Sequence, residues 1–179
     1  MSYKNALALR VSLETGMRIG DVLKIRKEDI KGRTIHYIAE KTGKSGRVVV
    51  SQDLVNRLLD GRSEWCFPHR TKVNAHRTRQ AVWKDVKKAA RALQDDGLLD
   101  GRNVAPHSGR KTFAVEDFQK NGLPHTQKVL QHDSKSTTMI YAFADELIGK
   151  PPKYDNLELH KILEIVTEIK EMITKLMQS

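Results

Sequence analysis

Apolar residues at helical intervals predict that the chain begins with two helices. In the first 24 positions these residues are Leu7, Val11, Ile19, Val22 and Leu23. Residues three and four positions apart share one face of a helix, so this spacing favours helix over strand. Gly16 is placed to end the first helix as its C-terminal cap, and the second helix is predicted from Arg18 to Lys24.

Two runs rich in β-branched residues interrupt this helical pattern. They are TIHYIAE at 34–40 and RVVVS at 47–51, and the KTGKSG segment between them has the glycines and small residues of a hairpin loop. A helix is predicted over Asp53–Leu59, and WCFP is predicted as a short strand that ends at Pro68. The pattern therefore predicts a small antiparallel sheet inside a helical protein.

The second half of the chain is predicted to be helical. Asn74 is predicted to cap a long basic helix that runs to Gln94, and Pro106 and Gly122 bound a further helix. Val82, Val86, Ala89 and Leu93 can turn inward from the basic helix. Short helices are predicted at 126–131 and 136–143. The fold class is therefore predicted to be mainly α with a small antiparallel β-sheet (α+β).

A final amphipathic helix is predicted from about Leu157 to Met177. Its apolar residues follow the 3-4-3-4-3 spacing of a coiled-coil seam: Leu159, Ile162, Val166, Ile169, Ile173 and Leu176. Gly149, Pro151 and Pro152 separate it from the preceding segment, so we expect one domain over 1–150 and a linker with a C-terminal helix over 151–179. The helix packs either on its own domain or on a neighbouring protomer, and we favour the neighbour.

Composition points to a polyanionic partner. The chain of 179 residues has 32 Lys and Arg against 22 Asp and Glu, a net charge of +10. Such an excess favours nucleic acid first and an anionic membrane surface second. The single cysteine, Cys66, excludes a disulfide framework within one chain. No apolar run approaches a membrane span and no metal-ligand spacing is present, so we expect a cytoplasmic protein without membrane, metal or cofactor.

Four polar segments are candidates for chemistry, and each has an ordinary structural interpretation. In TGMRIGDV, Arg18 and Asp21 could form an ordinary surface ion pair. Alternatively, Arg18 lies at a helix N-terminus, where anions bind well, and Asp21 orients its guanidinium. His107 and Arg110 are three residues apart and share a helix face, so both would point at the same site. The ordinary interpretation is an exposed polar face of that helix. Lys41 lies in the hairpin loop, where lysines are usually just solvated.

The fourth segment is LQHDSKSTTMIYAF, in which Tyr141 follows His132 by nine residues and could be a core aromatic. Taken in order, the four segments resemble the tyrosine recombinase family, the phage-integrase type of site-specific DNA recombinase. The resemblance covers residues 5–145, and each of the family's six active-site positions finds a suitable residue. It implies the catalytic-domain fold of that family, followed here by a C-terminal helix.

The resemblance implies a role for each candidate. Tyr141 would be the nucleophile that forms a 3′-phosphotyrosine, and Lys41 the acid that protonates the departing 5′ oxygen. The arginines, Arg18 and Arg110, would stabilise charge on the phosphate, His107 would be the base, and His132 would donate a hydrogen bond to the phosphate. The family's chemistry needs neither metal nor ATP. The chain departs from the family at Gly109, usually Leu, at Gln131, usually Gly, and at Asp21, often Glu.

The remaining basic residues are expected to contact double-stranded DNA. The candidates are Lys44, Arg47, Arg77, Arg79, Lys84, Lys88 and Lys111. The alternative is a solvated, lysine-rich helix. We expect DNA recombination or integration by a homo-oligomer that assembles on DNA through the C-terminal helix, in a phage or mobile element. Too few residues precede Arg18 for the family's N-terminal core-binding domain, so we expect a catalytic fragment.

Two other functions remain open from the sequence. One is a type IB topoisomerase-like enzyme, which would relax DNA by similar chemistry without bringing two sites together. The other is a DNA-binding module without catalysis, against which the presence of Tyr141 and both arginines argues.

Overall fold

The computed structural model describes residues 1–99 and 103–131, and within them the two predicted N-terminal helices are present. Helix α1 covers Tyr3–Thr15, and helix α2 covers Ile19–Leu23 with Arg18 as its N-cap. Gly16 ends α1 in the left-handed region at φ 69°, as predicted for a C-terminal cap. A Cβ at Gly16 would also lie 2.5 Å from the Phe113 ring, so both backbone and packing require glycine there.

The predicted hairpin is the centre of a three-stranded antiparallel sheet. Strand β1 is Ile30–Lys31, β2 is Thr34–Ile38 and β3 is Ser45–Val49, in the order β1-β2-β3. Ile35 pairs with Val48 in the register, and Ile35 is fully buried. The alternate residues face outward, so His36, Ile38, Arg47 and Val49 are exposed.

Helix α3, Gln52–Leu59, follows the sheet directly. The Ser51 hydroxyl oxygen caps it by accepting a hydrogen bond from the backbone N–H of Leu54 at 3.4 Å. One hydrophobic core joins this helix to α1, α2, the sheet and the long basic helix. Its largest fully buried side chains include Phe67, Met17, Leu23, Ile25, Ile35, Leu54 and Leu58. The core therefore lies directly beneath the turn that bears Arg18.

The long basic helix, α4, is shorter at its start than the sequence indicates. It covers Arg79–Asp95, and its N-cap is Thr78, whose hydroxyl accepts the backbone N–H of Ala81 at 3.2 Å. The prediction of Asn74 as N-cap was wrong, because Asn74 adopts φ 57° in a turn before the helix. Val82 and Val86 are buried as predicted.

The predicted strand WCFP is also wrong. Trp65 and Pro68 each form only an isolated bridge, to Arg26 and His76 respectively. His76 is therefore not helical either, as its bridge holds it in the segment before α4.

The last described element, α5, joins two predicted helices. It covers Ser108–Leu130, with a kink at Gly122 where φ is 76° and ψ is 171°. Gly122 was predicted to end a helix, and it does end the regular geometry, but Pro124 begins a second helical stretch almost at once. None of the helices in 1–99 and 103–131 is long and apolar enough to cross a membrane.

Several predictions fall outside the described residues. They are the short helix at 136–143, the C-terminal helix at 157–177 and the boundary at residue 150. These stay predictions.

Candidate active site

The turn between α1 and α2 holds Arg18 in a defined position. The Ser12 hydroxyl donates to the Met17 carbonyl at 2.8 Å, and the Met17 N–H donates to the Thr15 hydroxyl at 3.2 Å. Both hydroxyl-bearing residues are buried. Arg18 follows this turn, half-buried, and no hydrogen bond or ion pair engages its side chain within the described part of the chain. The turn therefore fixes the point at which the Arg18 side chain leaves the backbone.

Arg110 joins two of the candidate segments. Its Nη1 donates a hydrogen bond to the carbonyl of Gly16, and its Nη2 donates to the carbonyl of Leu130 at 2.7 Å. Gly16 lies two residues before Arg18, and Leu130 lies two residues before His132. One guanidinium thus connects segments that are far apart in the sequence, because its planar fork presents several donors in fixed directions.

Asp21 anchors the third candidate segment, the hairpin. The carboxylate is buried, and its Oδ1 accepts the backbone N–H of Glu40 at 2.9 Å. Glu40 precedes Lys41. Asp21 thus contacts the hairpin, and no ion pair joins it to Arg18 within residues 1–99 and 103–131.

His107 is the N-cap residue of α5, on the same face as Arg110. Packing around its ring lowers the pKa of His107, and four positive charges lower it further. These charges belong to Arg110, Lys111, Arg18 and Arg79. The lowered pKa favours the neutral imidazole, the form that accepts a proton.

Tyr37 was not predicted as a site residue, although it faces the arginines. Burial raises the pKa of its hydroxyl, the Asp21 charge raises it further, and the charges of Arg110 and Arg18 oppose this. The alternation of residues along β2 could have predicted that Tyr37 and His36 lie on opposite faces of the sheet. Only the packing of α5 shows that the face with Tyr37 lies next to the arginines.

A cleft of about 680 Å³ lies between the hairpin and the end of α5. The hairpin contributes Tyr37, Lys44 and Arg47, and α5 contributes His125, Lys128 and Gln131. The sequence did not predict that Lys128, His125 and Gln131 meet the hairpin, because residues so far apart along the chain give no signal of contact. The cleft is lined by positive charge, so it suits an anionic ligand.

Comparison with known proteins assigns this arrangement to a family. Residues 1–146 match the model of the phage integrase family. The chain belongs to this family.

Relatives of known sequence and structure agree with the assignment. The integrase of Escherichia phage P2 is 27% identical over 139 residues, 76% of this chain and 37% of that protein. The tyrosine recombinase XerD of Staphylococcus saprophyticus is 26% identical over 151 residues, 78% of this chain and 50% of that protein. This chain therefore spans half or less of the length of these two relatives.

The fold is that of solved phage-integrase structures. A lambda integrase dimer bound to a COC′ core site matches with a TM-score of 0.64 and 18% identity, over 79% of this chain and 42% of that one. The predicted fold class, mainly helical with a small antiparallel sheet, is confirmed.

Three of the six residues that the phage integrase motifs predict lie near one another, and a fourth lies in the hairpin. Arg18, Arg110 and His107 lie close enough for both arginine charges to act on the imidazole. Lys41 is exposed in the hairpin turn that Asp21 anchors. His132 and Tyr141 lie outside the described residues, and their positions in the site stay predictions.

The predicted DNA-contact residues divide into three groups. An exposed group consists of Lys44, Arg47, Lys84, Lys88 and Lys111. Arg79 is also exposed, but it packs over Gly20, where a Cβ would lie 3.3 Å from its Cδ, and its charge acts on His107. Arg77 is not on α4 as predicted: its Nη1 donates to Ser2 Oγ at 3.0 Å and to Asn5 Oδ1 at 2.9 Å, which ties the start of α1 to the segment before α4.

Proposed function

We propose that this chain is the catalytic domain of a site-specific DNA recombinase that cleaves and rejoins strands through a covalent 3′-phosphotyrosine. Its substrate is double-stranded DNA, and it acts on that DNA in the cytoplasm of a host cell. The proposal includes Tyr141 as nucleophile, in keeping with the motif that contains it.

The observation that carries the proposal is the pair of backbone contacts made by Arg110. They hold the segment before Arg18 and the segment before His132 against the same guanidinium. The charges of both arginines, Arg18 and Arg110, act on the imidazole of His107, so the two guanidinium groups lie near the same part of the structure. A phosphodiester is an anion that arginine forks suit, so this concentration of positive charge supports DNA as the ligand.

The chemistry follows from these groups. The Tyr141 oxygen attacks the phosphorus and its proton passes to His107, while the bond between phosphorus and the 5′ oxygen breaks. Lys41 gives its proton to that departing oxygen, which leaves as a hydroxyl. Arg18 and Arg110 stabilise the charge that grows on the non-bridging oxygens, the largest contribution in this class of reaction.

The phosphotyrosyl bond retains the energy of the original phosphodiester. A 5′-hydroxyl from another strand can therefore attack it, expel Tyr141 and restore DNA by the reverse of the first step. Exposed Lys44, Arg47 and Lys84 support DNA binding, since cations on the surface displace the condensed counterions of the duplex.

We predict that Tyr141→Phe abolishes covalent attachment to DNA and leaves DNA binding nearly intact, because only the nucleophilic oxygen is lost. The probe is a set of duplexes, each nicked near its centre so that a cleaved end diffuses away, tiling the DNA beside the gene. Adducts are detected on a denaturing gel, and binding is followed by mobility shift. An adduct formed by Tyr141→Phe would show that another residue is the nucleophile.

Tyr154→Phe is the matched control, because it removes a tyrosine hydroxyl beyond the family match and should leave the adduct unchanged. A wild-type protein that binds the duplexes without forming an adduct would indicate a DNA-binding module. An adduct whose only product is relaxed plasmid, without exchange between two sites, would indicate the topoisomerase-like alternative.

A further inference from the structure

Gln131 occupies a backbone position that is unfavourable for it. It is the C-cap of α5, with φ 51° and ψ 44° in the left-handed region. Glycine adopts this region without steric cost, and glycine is the residue that the family usually has immediately before its second histidine. A residue other than glycine in this region strains the backbone, and surrounding contacts must offset that cost.

The compensating contacts of Gln131 all go to the hairpin. The Thr42 hydroxyl donates to Gln131 Oε1 at 3.4 Å, and Gln131 Nε2 donates to the Tyr37 hydroxyl oxygen and to the Ser45 carbonyl, each at 3.5 Å. Thr42 is the residue after Lys41. The amide therefore reaches both strands of the hairpin and the turn that holds the predicted acid.

The hairpin has a matching space for this amide. A Cβ on Gly46 would lie 2.6 Å from Gln131 Nε2 and 2.6 Å from the Tyr37 ring, closer than any real side chain allows. Gly46 has an ordinary backbone conformation, since it is absent from the glycines with positive φ. A side chain at position 46 would therefore displace the Gln131 amide or the Tyr37 ring, so glycine makes room for this packing.

We propose that Gln131 is a positioning residue that ties the Lys41 hairpin to the end of α5, and so fixes the acid relative to the arginines. Asp21 holds one side of the hairpin through the Glu40 N–H, and Gln131 holds the other side through Thr42. Lys41 lies between these two attachment points. The inference rests on the proposed function and adds a residue to it that the family motifs do not contain.

The first test uses a duplex that forms an adduct with the wild-type chain, prepared with either an ordinary or a sulfur-substituted 5′ bridging position at the scissile phosphate. Sulfur leaves without protonation, so that substrate does not need the acid. Gln131→Gly removes the amide and relieves the backbone strain, so the variant should fold. We expect its single-turnover cleavage of the oxygen substrate to fall at least tenfold, a part of the roughly 10²–10⁴-fold that a general acid supplies, and cleavage of the sulfur substrate to be nearly normal.

Three further variants test the same interpretation. Gly46→Ala displaces the same contact from the hairpin side and should reproduce the Gln131→Gly pattern. Lys41→Ala should show a larger loss on oxygen, with the same rescue by sulfur. Gln119→Ala removes an exposed amide from the same helix and should change neither rate. Equal loss of cleavage on both substrates in Gln131→Gly, or no loss on either, would overturn the proposal.

A second test needs no DNA. Hydrogen exchange of the backbone amides from Ala39 to Arg47 should be faster in Gln131→Gly than in wild type, while exchange in α3 stays the same. Unchanged exchange in the hairpin would show that Gln131 does not hold it. If the wild-type chain forms no adduct on any duplex, the proposed function fails, and the exchange measurement alone then decides whether Gln131 fixes the hairpin.

Discussion

At the scale of single residues, the two arginines predicted for the active site differ in how much of the fold depends on them. Arg110 donates to two backbone carbonyls, whereas Arg18 projects from a turn that buried hydroxyls hold together. Both arginines are predicted to stabilise charge on the phosphate. Their structural roles differ, because only Arg110 holds backbone carbonyls, and stability measurements can detect this difference.

We predict that Arg18→Ala and Arg110→Ala each slow DNA cleavage by on the order of 10²–10³-fold, the effect of losing one preorganised donor to a developing charge. Only Arg110→Ala should also lower the free energy of unfolding, because each lost hydrogen bond from a charged donor is worth about 1.5–3 kcal/mol. Single-turnover cleavage and urea unfolding separate the two effects.

Arg62→Ala, at an exposed loop position, is the control and should change neither quantity. Equal unfolding free energies for Arg110→Ala and Arg18→Ala would contradict the role of Arg110 in holding the two carbonyls.

At the scale of elements, the kink in α5 depends on one buried carboxylate. Asp117 accepts hydrogen bonds from Thr126 Oγ1 at 2.7 Å and Asn121 Nδ2 at 2.8 Å, and His125 Nδ1 lies 3.0 Å from it. These groups lie on both sides of Gly122, so Asp117 joins the two halves of the helix. The second half of the helix contains Leu130, whose carbonyl accepts a hydrogen bond from Arg110.

We predict that Asp117→Asn destabilises the protein by roughly 1–3 kcal/mol at pH 7, the cost of breaking hydrogen bonds to a buried charged group. Burial raises the pKa of Asp117, but the hydrogen bonds from His125, Thr126 and Asn121 outweigh it and leave the pKa below its ordinary value. A depressed pKa contributes stability above the unfolded pKa of about 3.9, and that stability is lost as pH falls through the folded pKa.

The difference in unfolding free energy between wild type and Asp117→Asn should therefore be constant near neutral pH and shrink below about pH 4. Asp95→Asn, at an exposed position on α4, is the control and should have little effect. A difference between wild type and Asp117→Asn that grows as the pH falls would contradict the ionised state of Asp117.

At the scale of the whole molecule, the open prediction concerns the C-terminal helix. Its six seam residues form an apolar stripe, and monomers rarely expose apolar patches beyond a few hundred Å². We predict that the complete chain self-associates, and that a chain ending at Lys150 is monomeric with the same core and active site. Light scattering with and without DNA measures the difference.

Ile169→Asp in the complete chain should have the same effect as the truncation, because it buries a charge in the seam, while Lys170→Asp outside the seam should not. A complete chain that remains monomeric at high concentration and on DNA would show that the helix packs on its own domain.

The sequence alone determined the elements whose signals are local. Gly16 and Arg18 marked the boundary between α1 and α2 because a left-handed cap and a helix start depend on adjacent residues. The alternation around Ile35 and the glycine-rich loop predicted the hairpin. Local reasoning failed where two residues could cap one helix. Asn74 and Thr78 are both good N-caps, but Asn74 lies in a turn at φ 57° and Thr78 caps α4.

The motifs in the sequence also predicted Arg18, His107 and Arg110 as one site, because their order and chemical types are distinctive. Only the tertiary structure decided how they are held. The Arg110 contacts to Gly16 and Leu130, the Asp21 contact to Glu40, and the insertion of Gln131 against Gly46 each join residues far apart in the chain. No local propensity specifies such pairs, since a side chain's partner is set by the packing of helices and sheet around a common core.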